Sequence, residues 1–326
     1  MTVVLGVGIF LAVGIGFLVF YVIKSGIISG KTAASANYLD SNKVLQAIKA
    51  GKAAVEKDPK NAEAHYYLGK ALLADKREEQ ALREFKSVSR LGIEGKNIPE
   101  TEFRQTIARL YQKYNESEEA LKEYLLLIKN QPENAEYYFQ AGLIFSSRNR
   151  GDLAKNHLNK AISLSPKNTV YQTEFGIILY NERNLKEADA VLDSVLKLEP
   201  GNVKALFFRG KTQKDAKNYN GALPFLESAS RAQEYKVRAL VELGSCYMSL
   251  NMIDKAIVEL DRAVKIIEEE GGSEGFYARY FLGMCYEKKK EFAKAVEQYE
   301  KIYAKKKNFR DVGERLVQYQ EYRKSG

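Results

Sequence analysis

The sequence has few of the residues that build disulfide frameworks, metal sites and catalytic centres. It contains two cysteines and two histidines among 326 residues. Two cysteines cannot form a disulfide framework, and neither His65 nor His157 has a cysteine, aspartate or histidine near it at metal-ligand spacing. Nothing resembles a nucleophile beside its base. We therefore predict a protein that is not an enzyme, with no catalytic residue, cofactor or metal, in which both histidines are structural.

Tryptophan is also absent, proline occurs only six times, and no stretch alternates apolar and polar residues as a half-buried strand would. The low proline content, together with 45% hydrophobic residues, excludes a collagen-like or disordered chain and leaves enough apolar side chains for a core. The sequence thus indicates an all-α protein.

A unit of 34 residues recurs through most of the chain. In the unit that begins at Ala135, Gly142, Ala154 and Pro166 stand at offsets eight, twenty and thirty-two, counting Ala135 as one. The same residue types return one period apart in Gly176, Ala188 and Pro200, then in Gly210 with Ala222, then in Gly244 with Ala256. A glycine inside a helix costs about 1 kcal/mol relative to alanine, so its return indicates a place where two helices approach closely. Each unit therefore predicts a helix, a turn and a second helix.

Seven units are predicted over residues 62–308, with starts at 62, 101, 135, 169, 203, 237 and 276. The two longer intervals place extended loops around 92–99 and 268–275. Before the first unit, Ala47 precedes Pro59 by twelve residues, which is the spacing of a second repeat helix, so residues 40–61 are interpreted as a capping half-repeat. Residues 309–326 are expected to form a C-terminal capping helix.

The chain begins with an uncharged run, Val3 to Ile23, which as a helix would measure ~31 Å, about the thickness of a bilayer core. We interpret residues 1–24 as a transmembrane anchor, because a cleavable signal peptide would have a basic segment ahead of a shorter apolar run. Gly8, Ala12 and Gly16 share one face, which favours self-association of membrane helices, although glycine is also common in membrane helices that do not associate. Residues 25–39, rich in Gly, Ser, Ala and Thr, are expected to form a flexible linker.

At the residue level the units resemble the tetratricopeptide repeat family, whose signature is a Leu-Gly pair followed by Tyr, Ala, an aromatic residue and Pro. The best copies are Leu68-Gly69 with Ala81 and Phe85, Tyr111 with Ala120, Tyr124 and Pro132, Leu243-Gly244 with Tyr247 and Ala256, and Leu282-Gly283 with Tyr286, Ala295 and Tyr299. The tryptophan that the family carries at offset four is replaced throughout. The resemblance implies a right-handed α-solenoid of about seven repeats that binds a protein partner in a concave groove, without catalysis.

In this family the groove is lined by offsets two, five, nine, twelve and thirteen of each first helix, and several of these positions are apolar here. The candidate partner-binding residues are Tyr66, Phe139, Leu143, Ile177, Tyr180, Phe207, Val241, Met248, Tyr277, Tyr280 and Met284. The alternative is that these side chains cover a neighbouring helix. Offset nine carries no asparagine, so the family's specificity for a chaperone carboxylate is not expected. Cys246 and Cys285, both at offset ten, are expected to be unpaired core residues.

The resemblance extends to membrane-anchored repeat proteins that assemble secretion, pilus or flagellar machines, and it implies a scaffold of that kind. A regulatory adaptor that presents substrates to a membrane enzyme or protease is the alternative. The formal charge of +9 is concentrated at the C-terminal end, where Lys288 to Lys290 and Lys305 to Lys307 are interpreted as solvated surface, and no nucleic-acid partner is expected. We expect a single-pass protein of the cell (inner) membrane. Lys24, Lys31 and Lys43 follow the anchor and none precedes it, which favours a cytoplasmic domain over a periplasmic one.

Overall fold

The computed structural model describes residues 30–41, 43–270 and 275–322. Within these residues the chain forms seventeen α-helices, one short 3₁₀ helix and no β-strand, which confirms the all-α prediction. In this part of the chain no helix is both long and apolar enough to span a bilayer. The predicted anchor, with Gly8, Ala12 and Gly16, lies outside the described residues.

The chain divides into two compact units between Ile144 and Phe145. Up to the division the helices are α1 (Gly30–Asp40), α2 (Val44–Lys57), α3 (Ala62–Ala74), α4 (Glu78–Leu91), α5 (Glu100–Lys113), α6 (Ser117–Asn130) and α7 (Ala135–Ser147), which contains the division itself. After it come α8 (Gly151–Leu164), α9 (Thr169–Asn181), α10 (Leu185–Leu198), α11 (Val203–Asp215), α12 (Tyr219–Ala229), α13 (Lys236–Ser249), α14 (Ile253–Glu270), α15 (Gly275–Lys288), α16 (Phe292–Tyr303) and α17 (Val312–Gln318).

The first helices of the seven units are α3, α5, α7, α9, α11, α13 and α15, here called the A helices. Each begins within one residue of a predicted repeat start. Asparagine fixes several of these starts: the side chains of Asn61, Asn168 and Asn202 stand at the N-cap and accept hydrogen bonds from amides of the first turn. Such amides have no partner within the helix, so the cap stabilises the start of each A helix. The second helices, α4, α6, α8, α10, α12, α14 and α16, are called the B helices.

The turn between the A and B helices uses a residue in the left-handed region at offset fifteen, a feature that was not predicted. The residues with this conformation are Lys76, Asn115, Asn149, Arg183, Lys217, Asn251 and Lys290, with φ between 56° and 65°. The next amide donates to the carbonyl five residues back, as in Arg77 N to Leu72 O at 2.8 Å and Asn184 N to Leu179 O at 2.9 Å. This hydrogen bond closes the end of the A helix and reverses the chain within a few residues.

The glycine at offset eight lies where a B-helix side chain crosses the A helix. A Cβ atom placed on Gly176 would lie 2.8 Å from Leu192 Cγ, and one on Gly210 would lie 2.6 Å from Leu226 Cγ. The crossing side chain stands at offset twenty-four, whereas the alanine at offset twenty is fully buried beside it. The predicted close approach is therefore confirmed, but the residue that opposes the glycine is a leucine or an aromatic ring rather than the alanine.

Polar pairs replace the missing tryptophan at offset four in three units. His65 Nδ1 lies 2.6 Å from Glu84 Oε2, and Arg104 Nη1 lies 2.8 Å from Glu123 Oε2. Arg279 Nη1 donates to Gln298 in the same way, at 3.0 Å. In each pair the partner stands nineteen residues later on the B helix, so a hydrogen bond joins the two helices where the family packs an aromatic ring.

The linker prediction is wrong over residues 30–39, because they lie in α1 (Gly30–Asp40), which packs against α2. Thr32 and Ser35 are fully buried, and Ser35 Oγ donates to the carbonyl of Ala47 at 2.9 Å. Counted back from Ala47 at offset twenty, Ser35 stands at offset eight, the glycine position. The predicted half-repeat is therefore the second helix of a complete pair, in which serine is the small residue at the helix crossing.

After the seventh B helix the chain folds over the end of the last helix pair. Phe309, Val312 and Leu316 are buried in one cluster with Tyr280 and Tyr299. The helical part of this segment, α17, is shorter than the predicted capping helix and is followed by the 3₁₀ turn Gln320–Tyr322.

Candidate partner-binding surface

In the first compact unit, up to Ile144, the aromatic rings predicted to line a groove are mostly covered by neighbouring side chains. Tyr66 is 2% exposed, and its ring centroid lies 6.3 Å from that of Phe103 on the next A helix and 6.2 Å from that of Phe85. Phe139 is also buried, whereas Leu143 is half-buried. Tyr66, a large aromatic residue at offset five, thus fills the space between its own helix pair and the next A helix.

In the second compact unit the aromatic residues at offset five are buried as well, whereas Val241 at the same offset is half-buried. Phe207 packs on Tyr235, with the ring centroids 4.9 Å apart, and Tyr280 packs on Phe309 at 6.0 Å. Ile177 and Met248 are buried as well. Phe207 and Tyr280 therefore pack in the core rather than line an open groove, because residues that lead into the next helix cover them. Whether these residues contact a partner remains a prediction.

Some A-helix side chains in the second compact unit are exposed to solvent, wholly or in part. Tyr277, at offset two, is 48% exposed, while Tyr180, Val241 and Met284 are half-buried. Val170, also at offset two, is 55% exposed and was not among the predicted residues. The offset alone could have found it, because offset two was already assigned to the groove, but valine was not singled out against the larger aromatic side chains.

Between α9, α11 and α13 the A-helix surface carries a polar network. Tyr180 Oη donates to Asp215 Oδ2 at 2.8 Å, and Arg183 Nη1 donates to the same atom at 2.9 Å. Lys214 forms an ion pair with Glu242 on the next A helix. Burial is the largest single influence and works to lower the pKa of Lys214, but the field and the hydrogen bond of Glu242, together with the field of Asp215, outweigh it and raise that pKa, so the lysine stays charged.

Lys211 connects this network with the rings beneath it. Its ammonium nitrogen lies 5.2 Å from the centroid of Tyr180, 5.6 Å from that of Phe207 and 5.8 Å from that of Phe208. These distances allow a cation–π contact with each ring. The face is therefore amphipathic, with aromatic side chains below and fixed charges above.

In the first compact unit, fewer polar pairs link neighbouring A helices, but they have the same character. Lys70 forms an ion pair with Glu102 at 2.8 Å and lies 5.6 Å above the ring of Tyr66. Gln112 Nε2 donates to Gln140 Oε1 at 2.9 Å between the next two A helices. The A-helix face in each unit is thus more polar than the sequence indicated, because residues 28 to 35 positions apart pair across neighbouring repeats.

An A-helix face with aromatic rings and fixed charges is suited to binding polypeptide.

Both cysteines are free and fully buried, as predicted, and burial raises the pKa of each thiol to about 12. His65 is held by Glu84 and by the carbonyl of Pro59, and His157 Nδ1 lies 2.9 Å from the carbonyl of Leu153. Among the residues that the structure describes, no cluster of three or more histidine, cysteine, aspartate or glutamate side chains could hold a metal ion.

Comparison with known proteins identifies the repeats. A sequence model described as tetratricopeptide repeat matches residues 38–91 and 214–270, and a second with the same description matches 135–168 and 276–304. No curated protein sequence matches the chain significantly.

Solved structures show the same fold. PilW, described as a widely conserved type IV pilus biogenesis factor, aligns over 67% of this chain and 99% of its own with 16% identity and a TM-score of 0.58. The Pseudomonas aeruginosa pilF structure aligns over 68% and 96% with 15% identity and a TM-score of 0.55. A chain of the APC/C hetero-tetramer Cut9–Hcn1 aligns over 89% and 55% with 15% identity and a TM-score of 0.56. The matched segments show that the chain is built from tetratricopeptide repeats, the repeats of protein–protein interaction scaffolds, and the solved structures show the same fold.

Proposed function

We propose that this protein is a non-catalytic, membrane-tethered scaffold that binds a protein partner on its A-helix face and supports assembly of a membrane-associated complex. The observation that carries the proposal is that Val170 and Tyr277, both at offset two, are exposed on A helices that also carry the half-buried side chains of Tyr180 and Met284. Tyrosine and aliphatic side chains of this kind supply binding energy once a partner removes them from water.

The tether rests on the uncharged run from Val3 to Ile23 in the sequence. We place the protein in the cell (inner) membrane as a single-pass protein with its repeats in the cytoplasm, because Lys24, Lys31 and Lys43 all follow the run. A reporter that is active only outside the cytoplasm, fused after Gly326, tests this orientation. Activity of that reporter would place the repeats in the periplasm instead.

For the complex, we propose an envelope machine of the secretion, pilus or flagellar type. The structural similarity to PilW and to pilF supports a role of this class. The shared fold by itself does not identify a partner. A regulatory adaptor remains the second candidate. A partner that is itself a membrane enzyme or protease, rather than a component of a machine, would favour the adaptor.

The binding face is tested by Val170→Glu combined with Tyr277→Glu in the full-length protein. The loss of two apolar contacts at ~25 cal/mol/Å² is expected to cost about 2 kcal/mol, so recovery of the partner from native membranes should fall roughly thirtyfold. The matched control is Leu198→Glu with Val258→Glu, since these residues are 52% and 56% exposed on B helices. Equal recovery by both double variants would contradict the proposed face.

A further inference from the structure

One surface of the second compact unit carries basic side chains that form no ion pair with the described residues. The segment from Lys305 to Arg310 reads Lys-Lys-Lys-Asn-Phe-Arg and contains no acidic residue. Its four basic side chains are exposed, and among the described residues none of the four forms an ion pair. We call Tyr277, Lys305, Lys306, Lys307 and Arg310 the cap patch.

The segment is held in place against the last A helix. Phe309 is buried, with its ring centroid 5.6 Å from that of Phe276 and 5.1 Å from that of Tyr277. Backbone hydrogen bonds from Lys306 N to Ile302 O at 2.8 Å and from Phe309 N to Lys306 O at 3.2 Å fix the turn. The cations are therefore presented from an ordered turn, so little conformational entropy is lost when they bind.

Two of the cations lie over aromatic rings. Lys306 Nζ lies 5.6 Å from the centroid of Phe309, and the Arg310 guanidinium lies 5.1 Å from the centroids of both Tyr277 and Tyr280. A guanidinium that rests on a ring face keeps N–H donors at its edge for a carboxylate. Tyr277 itself remains 48% exposed beside it.

Two acidic groups of the cap, Asp311 and Glu287, are already engaged. Asp311 accepts hydrogen bonds from Tyr280 Oη at 2.8 Å and from Arg315 Nε at 2.9 Å. Glu287 pairs with Arg315 and accepts from Tyr299 Oη at 3.0 Å. Arg315 thus takes these two carboxylates, and the four cations of the cap patch have no ion-pair partner among the described residues.

We propose that the cap patch binds an acidic segment of a protein partner that also carries an apolar side chain for Tyr277. This inference rests on the proposed scaffold function and adds the chemistry of the partner. Arginine and tyrosine side by side are typical of the residues that contribute most to protein–protein binding. The cations lie in the turn after the last repeat rather than on the repeat helices, so the contact extends the binding face beyond the A helices of the second unit.

The test uses the full-length protein in a neutral detergent and a short fluorescein-labelled peptide of alternating glutamate and glycine with one central leucine. We expect binding at low salt that weakens as salt is added, and about tenfold weaker binding to the Lys306→Glu/Arg310→Glu variant. The control variant Lys160→Glu/Lys186→Glu reverses the same amount of charge at exposed positions on α8 and α10, and it should bind like the wild type.

Three results would overturn the inference. They are no binding of the glutamate peptide by the wild type at low salt, equal binding of a peptide with glutamine in place of glutamate, and equal loss in the control variant. Vesicles containing phosphatidylserine form a separate arm, and vesicle binding through the cap patch without peptide binding would assign it to the membrane surface instead. Loss of partner recovery in Val170→Glu/Tyr277→Glu but not in Lys306→Glu/Arg310→Glu would leave the scaffold proposal intact and exclude the cations of the cap patch from partner binding.

Discussion

At the scale of single residues, the helix crossing at offset eight is sensitive to one added methyl group. In Gly210→Ala the new Cβ would lie 2.6 Å and 2.7 Å from two carbons of Leu226 and 3.3 Å from its backbone nitrogen. We expect a net loss of about 1–2 kcal/mol, because overpacking outweighs the gain of up to ~1 kcal/mol in helix propensity. Thermal unfolding should show the loss as a lower Tm.

Gly201→Ala is the control for this substitution, since no atom lies within 4 Å of the added methyl group. Its Tm should stay the same or rise slightly. If the two variants melt alike, the packing assigned to the glycine position is incorrect.

His65 gives a residue-scale prediction about pH. The hydrogen bond to Glu84 raises the pKa of His65, opposed by burial and by Arg90, and the carbonyl of Pro59 adds to the rise. Because the folded pKa exceeds the unfolded value of 6.5, the protonated histidine stabilises the fold fully below pH 6.5. That contribution is lost as pH rises through the folded pKa.

We therefore expect a lower Tm at pH 8.5 than at pH 6, and a smaller difference between the two in Glu84→Gln. The variant removes the carboxylate that favours the charged ring and keeps the side chain's size. A pH dependence that is identical in the wild type and in Glu84→Gln would show that the pair is not its source.

At the scale of helices, α1 is the element whose structure differs most from the sequence prediction, which was a flexible linker. Ser35→Leu would force a large side chain into the crossing with α2, where Ser35 Oγ now bonds the Ala47 carbonyl, and we expect a loss of ~1–3 kcal/mol. Lys31→Leu adds the same side chain at an exposed position of α1 and should stay within about 0.5 kcal/mol of the wild type. Equal stability of both variants would support the flexible linker that the composition had suggested.

The helix pairs were predictable because their signals lie in the sequence at a fixed period. Glycine at offset eight and alanine at offset twenty mark two helices in contact, and seven A helices begin within one residue of the predicted starts. The helix α1 was missed because Ser35 replaces the glycine and the surrounding Gly, Ser and Ala resemble a linker. The left-handed turn at offset fifteen was missed because lysine, arginine and asparagine fill a position where glycine is the usual signal.

At the scale of the whole molecule, the candidate surface was harder to predict than the fold. Periodicity assigns a residue to a face, but it does not show which neighbouring segment covers that face. Phe207 and Tyr280 looked like groove residues, yet Tyr235 and Phe309 cover them. Polar pairs such as Tyr180 with Asp215 join residues from different repeats, so they appear only once the repeats are stacked.

Because these rings are buried, a charged residue in their place at offset five should destabilise the fold. Phe207→Glu would place an unpaired carboxylate in an apolar site, so we expect loss of folding rather than a selective loss of binding. Binding is better probed from the exposed positions at offset two.

The central claim, that the A-helix face binds a protein partner, is tested most directly by site-specific photo-crosslinking in native membranes. A benzophenone amino acid is placed in turn at Val170 and Tyr277 on A helices, and at Leu198 and Val258 on B helices. All four sites are exposed, so the probe should be accepted without unfolding the protein. The account predicts the same crosslinked partner from both A-helix positions and none from the B-helix positions. Crosslinks from the B-helix positions alone, or no partner from either A-helix position, would contradict it.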